Sequence, residues 1–133
     1  MSLTYMLEVE GGLSRGVMKS ALLACGASIF SEDEAGFSGN FLGSNMFFLY
    51  RDRTDLSPSQ VLAELVPSPL HWRVGSRVSL DAISSKFDEC RDEIIRLLQE
   101  LERRSAAHFV LSFQYEEVYA IRDEDGLHLY GNL

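Results

Sequence analysis

At 133 residues, with 46% hydrophobic, 24% charged and three prolines, the chain is sized for one folded domain, and its apolar content excludes disorder as the main state. Twelve Lys and Arg against twenty Asp and Glu give a formal net charge of −8, which withholds the basic footprint that nucleic acid or an anionic membrane calls for. No apolar run reaches the ~20 residues that cross a bilayer, and Met1 to Gly12 have neither a basic n-region nor an apolar h-region, so the expected location is the cytoplasm.

The first element alternates Leu3, Tyr5, Leu7 and Val9 against Thr4, Met6, Glu8 and Glu10, the pattern of a half-buried strand. Gly11-Gly12 ends it. Ser14 then reads as an N-cap, with Val17, Met18, Ala21, Leu22 and Cys25 on one helical face and Gly26 as the stop. A short strand through Ile29 and Phe30 runs into the acidic turn Glu32-Asp33-Glu34. In Ser44 to Arg51 both alternating sets, Met46/Phe48/Tyr50 and Phe47/Leu49, are apolar. A strand covered on both faces needs that, so this segment is expected at the centre of the sheet.

Ser57-Pro58-Ser59-Gln60 has the order of a capping box with proline at N1, and the short helix it opens must stop before Pro67 and Pro69. From His71 the alternation returns, with Trp72, Val74, Val78 and Leu80 on one face and Arg73, Arg77 and Asp81 on the other. The longest helix runs from about Lys86 to Arg104, with Phe87, Cys90, Ile94, Leu97, Leu98 and Leu101 as its apolar stripe. Asp92–Arg96 and Glu100–Arg104 stand at i,i+4 on its outer face. Phe109, Leu111, Phe113 and Tyr115 alternate next. Val118 to Ile121, the turn Asp125-Gly126, and Leu127 to Tyr130 complete a C-terminal hairpin. Roughly three helices and five to seven strands on short turns predict a single α+β domain over residues 1–133, with a mostly antiparallel sheet.

Few residues are spaced for chemistry. Cys25 and Cys90 lack CxxC spacing and fall among apolar neighbours, which predicts inert buried thiols. His71, His108 and His128 form no HxxxH or HExxH pair, so a metal site would need ligands gathered by folding alone, and neither metal nor cofactor is expected. There is no Walker sequence. Gly11-Gly12-Leu13-Ser14-Arg15-Gly16 joins a strand to a helix but is not GxGxxG, and reads as a plain connection. Phe37 and Phe41 with Asn40 and Asn45 read as a hairpin or as a recognition loop.

The densest charge lies near the C-terminus. Glu116, Glu117, Asp123, Glu124 and Asp125 surround the single base Arg122, interleaved with Tyr115, Tyr119 and Tyr130. A charge run is usually a solvated face, but rigid aromatic area beside carboxylates also suits capture of Arg or Lys from a protein partner.

Phe37-Ser38-Gly39-Asn40-Phe41, Ser44-Asn45-Met46-Phe47-Phe48 and the run from Phe109 to Ala120 give the chain a pattern that resembles the small immunity proteins of bacterial polymorphic and contact-dependent toxin systems. The resemblance implies a cytosolic inhibitor that binds a cognate toxin tightly and performs no catalysis. On that reading the partner carries a basic surface near its active site. The docking residues are Glu116, Glu117, Tyr119, Asp123, Glu124, Asp125 and Tyr130, with Glu32, Asp33 and Glu34 as a second group. The alternative is a small enzyme or anion-binding domain with a pocket near His71, Trp72, Arg73 and Arg77.

Overall fold

The computed structural model describes residues 2–52, 60–64 and 71–131. Strands β1 (Ser2–Glu10), β2 (Ala27–Glu32), β3 (Gly36–Phe41), β4 (Phe47–Arg51), β5 (Val74–Ile83), β6 (Phe109–Phe113), β7 (Glu117–Asp123) and β8 (Gly126–Leu129) form one sheet. Helix α1 (Arg15–Ala24) follows β1. A single 3₁₀ turn, Ser84–Lys86, leads into α2 (Phe87–Arg104). The strand order is β2-β3-β4-β5-β1-β6-β7-β8, every pairing antiparallel. This is an α+β domain with two helices among the described residues rather than about three. Most of the segment expected to supply the third, including Ser57–Ser59, Pro67 and Pro69, lies outside those residues, and Gln60–Glu64 are not helical.

Both helices lie on one face of the sheet. α1 packs on α2 and β2, and α2 packs on β5 and β8. Ser14 caps α1 as expected, its hydroxyl accepting from the Val17 N–H at 3.2 Å. The apolar stripe of α2 is buried at Cys90, Ile94, Leu97, Leu98 and Leu101. It shares one core with Tyr5, Leu7 and Val9 of β1, Val78, Leu80 and Ala82 of β5, and Phe37, Phe41, Phe48 and Tyr50 of β3 and β4. Cys25 and Cys90 are buried free thiols within this core.

The centre of the sheet is β5 beside β1, not β4. β4 is third from one edge, and only its inner set is enclosed: Phe48 and Tyr50 are buried while Phe47 is 38% exposed. An apolar residue on each face thus does not report cover on each face. Phe47 instead leans on the exposed Phe30 of the edge strand, ring centroids 6.1 Å apart.

The face away from the helices carries a smaller cluster of Ala63, Trp72, Val74, Val110 and Ile121. Its existence corrects the expectation that Trp72 and Val74 share a face with Val78 and Leu80. Val9 pairs with Ser76 but Glu10 pairs with Val74, so Gly75 is an extra residue in β5. A Cβ at Gly75 would stand 2.4 Å from the Cα of Gly11, so this close crossing admits glycine. The bulge shifts Val74 and Trp72 to the second face. A similar shift between Leu111 and Ser112 leaves Tyr119 as the extra residue of β7 and turns it toward Tyr5, 5.7 Å between ring centroids.

Candidate functional site

Three chain segments converge where β5 and β6 begin and β7 ends. His71 precedes β5, His108 precedes β6, and Glu124 occupies the two-residue turn between the paired residues Asp123 and Gly126. The Oε1 atom of Glu124 lies 3.2 Å from Nε2 of His108 and 3.5 Å from Nε2 of His71. The other ring nitrogen of His108, Nδ1, meets the Glu10 carboxylate at 2.8 Å, and the same carboxylate accepts the His108 main-chain N–H at 2.8 Å. Trp72 stacks on the His108 ring at 6.2 Å and 17°, and His71 meets that ring edge-on at 5.5 Å.

The electrostatics follow from this geometry. Burial works to lower the His108 pKa, but the carboxylates of Glu10 and Glu124 outweigh it and hold the imidazole above its ordinary value. Partial burial opposes ionisation of Glu10, yet the His108 N–H and ring keep its pKa below the usual carboxylate range. Glu124 is also lowered, first by its own main-chain N–H and then by His108. His128 does not join the group. Its Nε2 faces Asp123 at 3.0 Å, and this contact is the main cause of a lowered Asp123 pKa.

The acid-rich hairpin is two groups rather than one. Glu116 and Glu117 stand at the start of β7, and Asp123, Glu124 and Asp125 at its end, roughly 20 Å away at 3.3 Å per residue. Glu116, Glu117, Glu124 and Asp125 are exposed. Tyr119 is half-buried against Tyr5 and donates its hydroxyl to Glu117 at 3.1 Å. Tyr130 is 40% exposed beside Leu129 at 42%, at the end of the edge strand β8.

The second acidic group is internally matched. Glu32 pairs with Lys19 at 2.5 Å and Arg15 at 3.2 Å. Asp33 accepts the N–H groups of Ala35 and Gly36 as a turn cap, and the carbonyls of Asp33 and Glu34 accept from Arg15. Arg15 also grips Asp52 through two nitrogens, at 2.6 and 2.9 Å, so its charge belongs to this network rather than to the glycine turn before α1.

The anion-pocket residues are dispersed. Arg77 is 8% exposed and points its Nε at Glu8, 3.1 Å away, with a further bond to the Gln60 carbonyl. Trp72 is buried in the second cluster while Arg73 and His71 are exposed. Phe37 and Phe41 belong to the main core, and the side-chain amide of Asn40 donates to Asn45 at 2.5 Å. Sequence reading missed the meeting of His71, His108 and Glu124. These residues lie 37 and 16 positions apart in the chain, and only the bulge at Gly75 and the tight β7–β8 turn bring them together.

No family model matches the chain. Comparison with curated proteins and with solved structures likewise finds no match. No helix among the described residues is long and apolar enough to cross a membrane.

Proposed function

We propose that this protein is a non-catalytic inhibitor of the immunity type, holding a cognate toxin through the hairpin of β7 and β8. The observation that carries this reading is the composition of one sheet edge. Exposed Glu116 and Glu117 stand at one end of the hairpin and Asp123, Glu124 and Asp125 at the other, with Leu129 exposed on the outermost strand and Tyr130 exposed just past its end. Carboxylates raise the rate of encounter with a basic surface, and an aromatic anchor supplies most of the holding energy once docked. Strand β8 is the outermost strand, and α2 caps part of its edge through Glu102, which accepts the Leu127 N–H at 2.7 Å, so side chains rather than main-chain pairing carry the contact.

The partner this surface fits is a toxin domain that is itself basic around its active site, as an enzyme acting on nucleic acid or nucleotides is. The test is binding of the purified protein to the toxin domain encoded beside it. Replacing Asp123, Glu124 and Asp125 together by Lys should weaken the complex strongly and slow its formation most at low salt. Unchanged affinity in that variant removes the hairpin from the interface.

A further inference from the structure

Beyond partner binding, we propose that His71, His108 and Glu124 form a zinc site, with Glu10 as the group that orients His108. The three ligand atoms, two imidazole nitrogens and a carboxylate oxygen, all lie within 4.8 Å of one another. Tetrahedral zinc with bonds of about 2.0–2.1 Å separates its ligand atoms by about 3.3–3.4 Å. The Glu124 oxygen already stands 3.2 and 3.5 Å from the two imidazole nitrogens, and drawing those two nitrogens together from within 4.8 Å completes the spacing.

The surroundings have the form of a metal site rather than of a chance surface pair. A ligating histidine characteristically gives its other nitrogen to a carboxylate, which fixes the tautomer and the ring plane. Glu10 does this for His108, and because it also holds the His108 main-chain N–H, the ring is tied at two points. Trp72 covers the ring from one side, leaving the His108 side chain 15% exposed. His71 and Glu124 are 71% and 67% exposed, so the fourth position opens to water. Two histidines and one carboxylate with an open position is a ligand set that zinc accepts readily. Bound there, zinc would join the entries to β5 and β6 to the exit of β7. Its three ligands come from three separate segments, so it would cross-link the fold.

The experiment uses the full chain, stripped with EDTA and free of any histidine tag, titrated with zinc sulfate against a chromogenic chelator. One zinc per chain is expected. Cobalt substituted for zinc should give the intense visible bands of tetrahedral coordination. His71→Ala and Glu124→Gln, both on exposed side chains, should each weaken zinc by more than about 10-fold while leaving thermal unfolding in EDTA unchanged. His128→Ala should keep full affinity. Substoichiometric zinc, affinity indifferent to the first two substitutions, or loss with His128→Ala instead would each overturn the proposal. Toxin binding by His71→Ala, whose acidic turn is intact, reports separately on the immunity reading.

Discussion

The Glu8 carboxylate and the Arg77 guanidinium face each other across the β1–β5 register, 3.1 Å apart, with Glu8 fully buried and the Arg77 side chain 9% exposed. The pair lies on the face away from the helices. Its remaining oxygen capacity is filled by main-chain N–H groups of Leu62 and Ala63, at 2.8 and 3.1 Å. A charged pair near the centre of a sheet thus serves as the clamp for segment 60–64, which crosses that face and is joined again by the Glu64 N–H to the Tyr115 carbonyl at 2.6 Å.

Removing one member leaves the other charged and desolvated. Glu8→Ala should therefore cost about 3–5 kcal/mol in urea unfolding. Replacing Glu8 and Arg77 together by Leu and Met should cost clearly less than the two single changes summed. Strict additivity in that cycle would mean the residues do not act as a pair.

The Arg15–Asp52 contact makes stability depend on acid. Arg15 above all, aided by the Tyr50 hydroxyl at 3.0 Å, holds the Asp52 pKa below its ordinary value of 3.8. A carboxyl lowered on folding contributes stability above its unfolded value and loses it as pH falls through the folded one. Asp52→Asn should thus be less stable than the parent by on the order of 1 kcal/mol at neutral pH. The gap should stay constant down to about pH 4 and close below it, as chemical denaturation across pH 2–7 would record.

Gly39 of β3 pairs with Ile29 of β2. A Cβ there would stand 1.9 Å from the Ser28 carbonyl oxygen and 2.8 Å from the Phe48 ring. Backbone on a paired strand cannot yield as a flexible side chain can, so Gly39→Ala should destabilise by at least about 2 kcal/mol. Thermal unfolding and amide exchange along β2 are the readouts, and a neutral result would contradict the described pairing.

The turn between β6 and β7 holds Gln114 at φ 52° and Tyr115 at φ 66°, closed by the Glu116 N–H on the Phe113 carbonyl at 2.8 Å. Asparagine occupies the left-handed region at lower cost than glutamine, and turns with positive φ at both central residues favour it. Gln114→Asn should raise stability by about 0.5–1 kcal/mol in the same denaturation assay.

Much of the framework was legible because single elements carry complete signals. The alternation from Leu3 to Glu10, the Ser14 cap and the stripe from Cys90 to Leu101 are local patterns, and each element formed within a residue or two of its expected bounds. Strand order was not legible, since the apolar character of Phe47 is satisfied by Phe30 on the open face as readily as by a covering layer. The face assignment of Trp72 and Val74 failed at one inserted residue, Gly75, which no period-two pattern announces. The histidine cluster was hidden for the same reason. Its members signal nothing in isolation, and their meeting is a product of strand register and turn length.

The hairpin surface can be separated from stability at Tyr130. Its side chain is 40% exposed, and its N–H bond to the Tyr119 carbonyl at 2.7 Å survives truncation. Tyr130→Ala should leave the melting temperature within error and cost about 2 kcal/mol or more in toxin binding, measured by calorimetry. Equal losses in stability and affinity would place Tyr130 in the fold rather than the interface.

The central claim, inhibition of a toxin by occupation, is tested most directly in cells that express the product of the neighbouring gene as the proposed toxin. Co-expression of the parent chain should restore growth, and the Asp123, Glu124 and Asp125 to Lys variant, folded to the same extent, should fail to do so. Killing that proceeds equally with and without the parent chain would contradict the account.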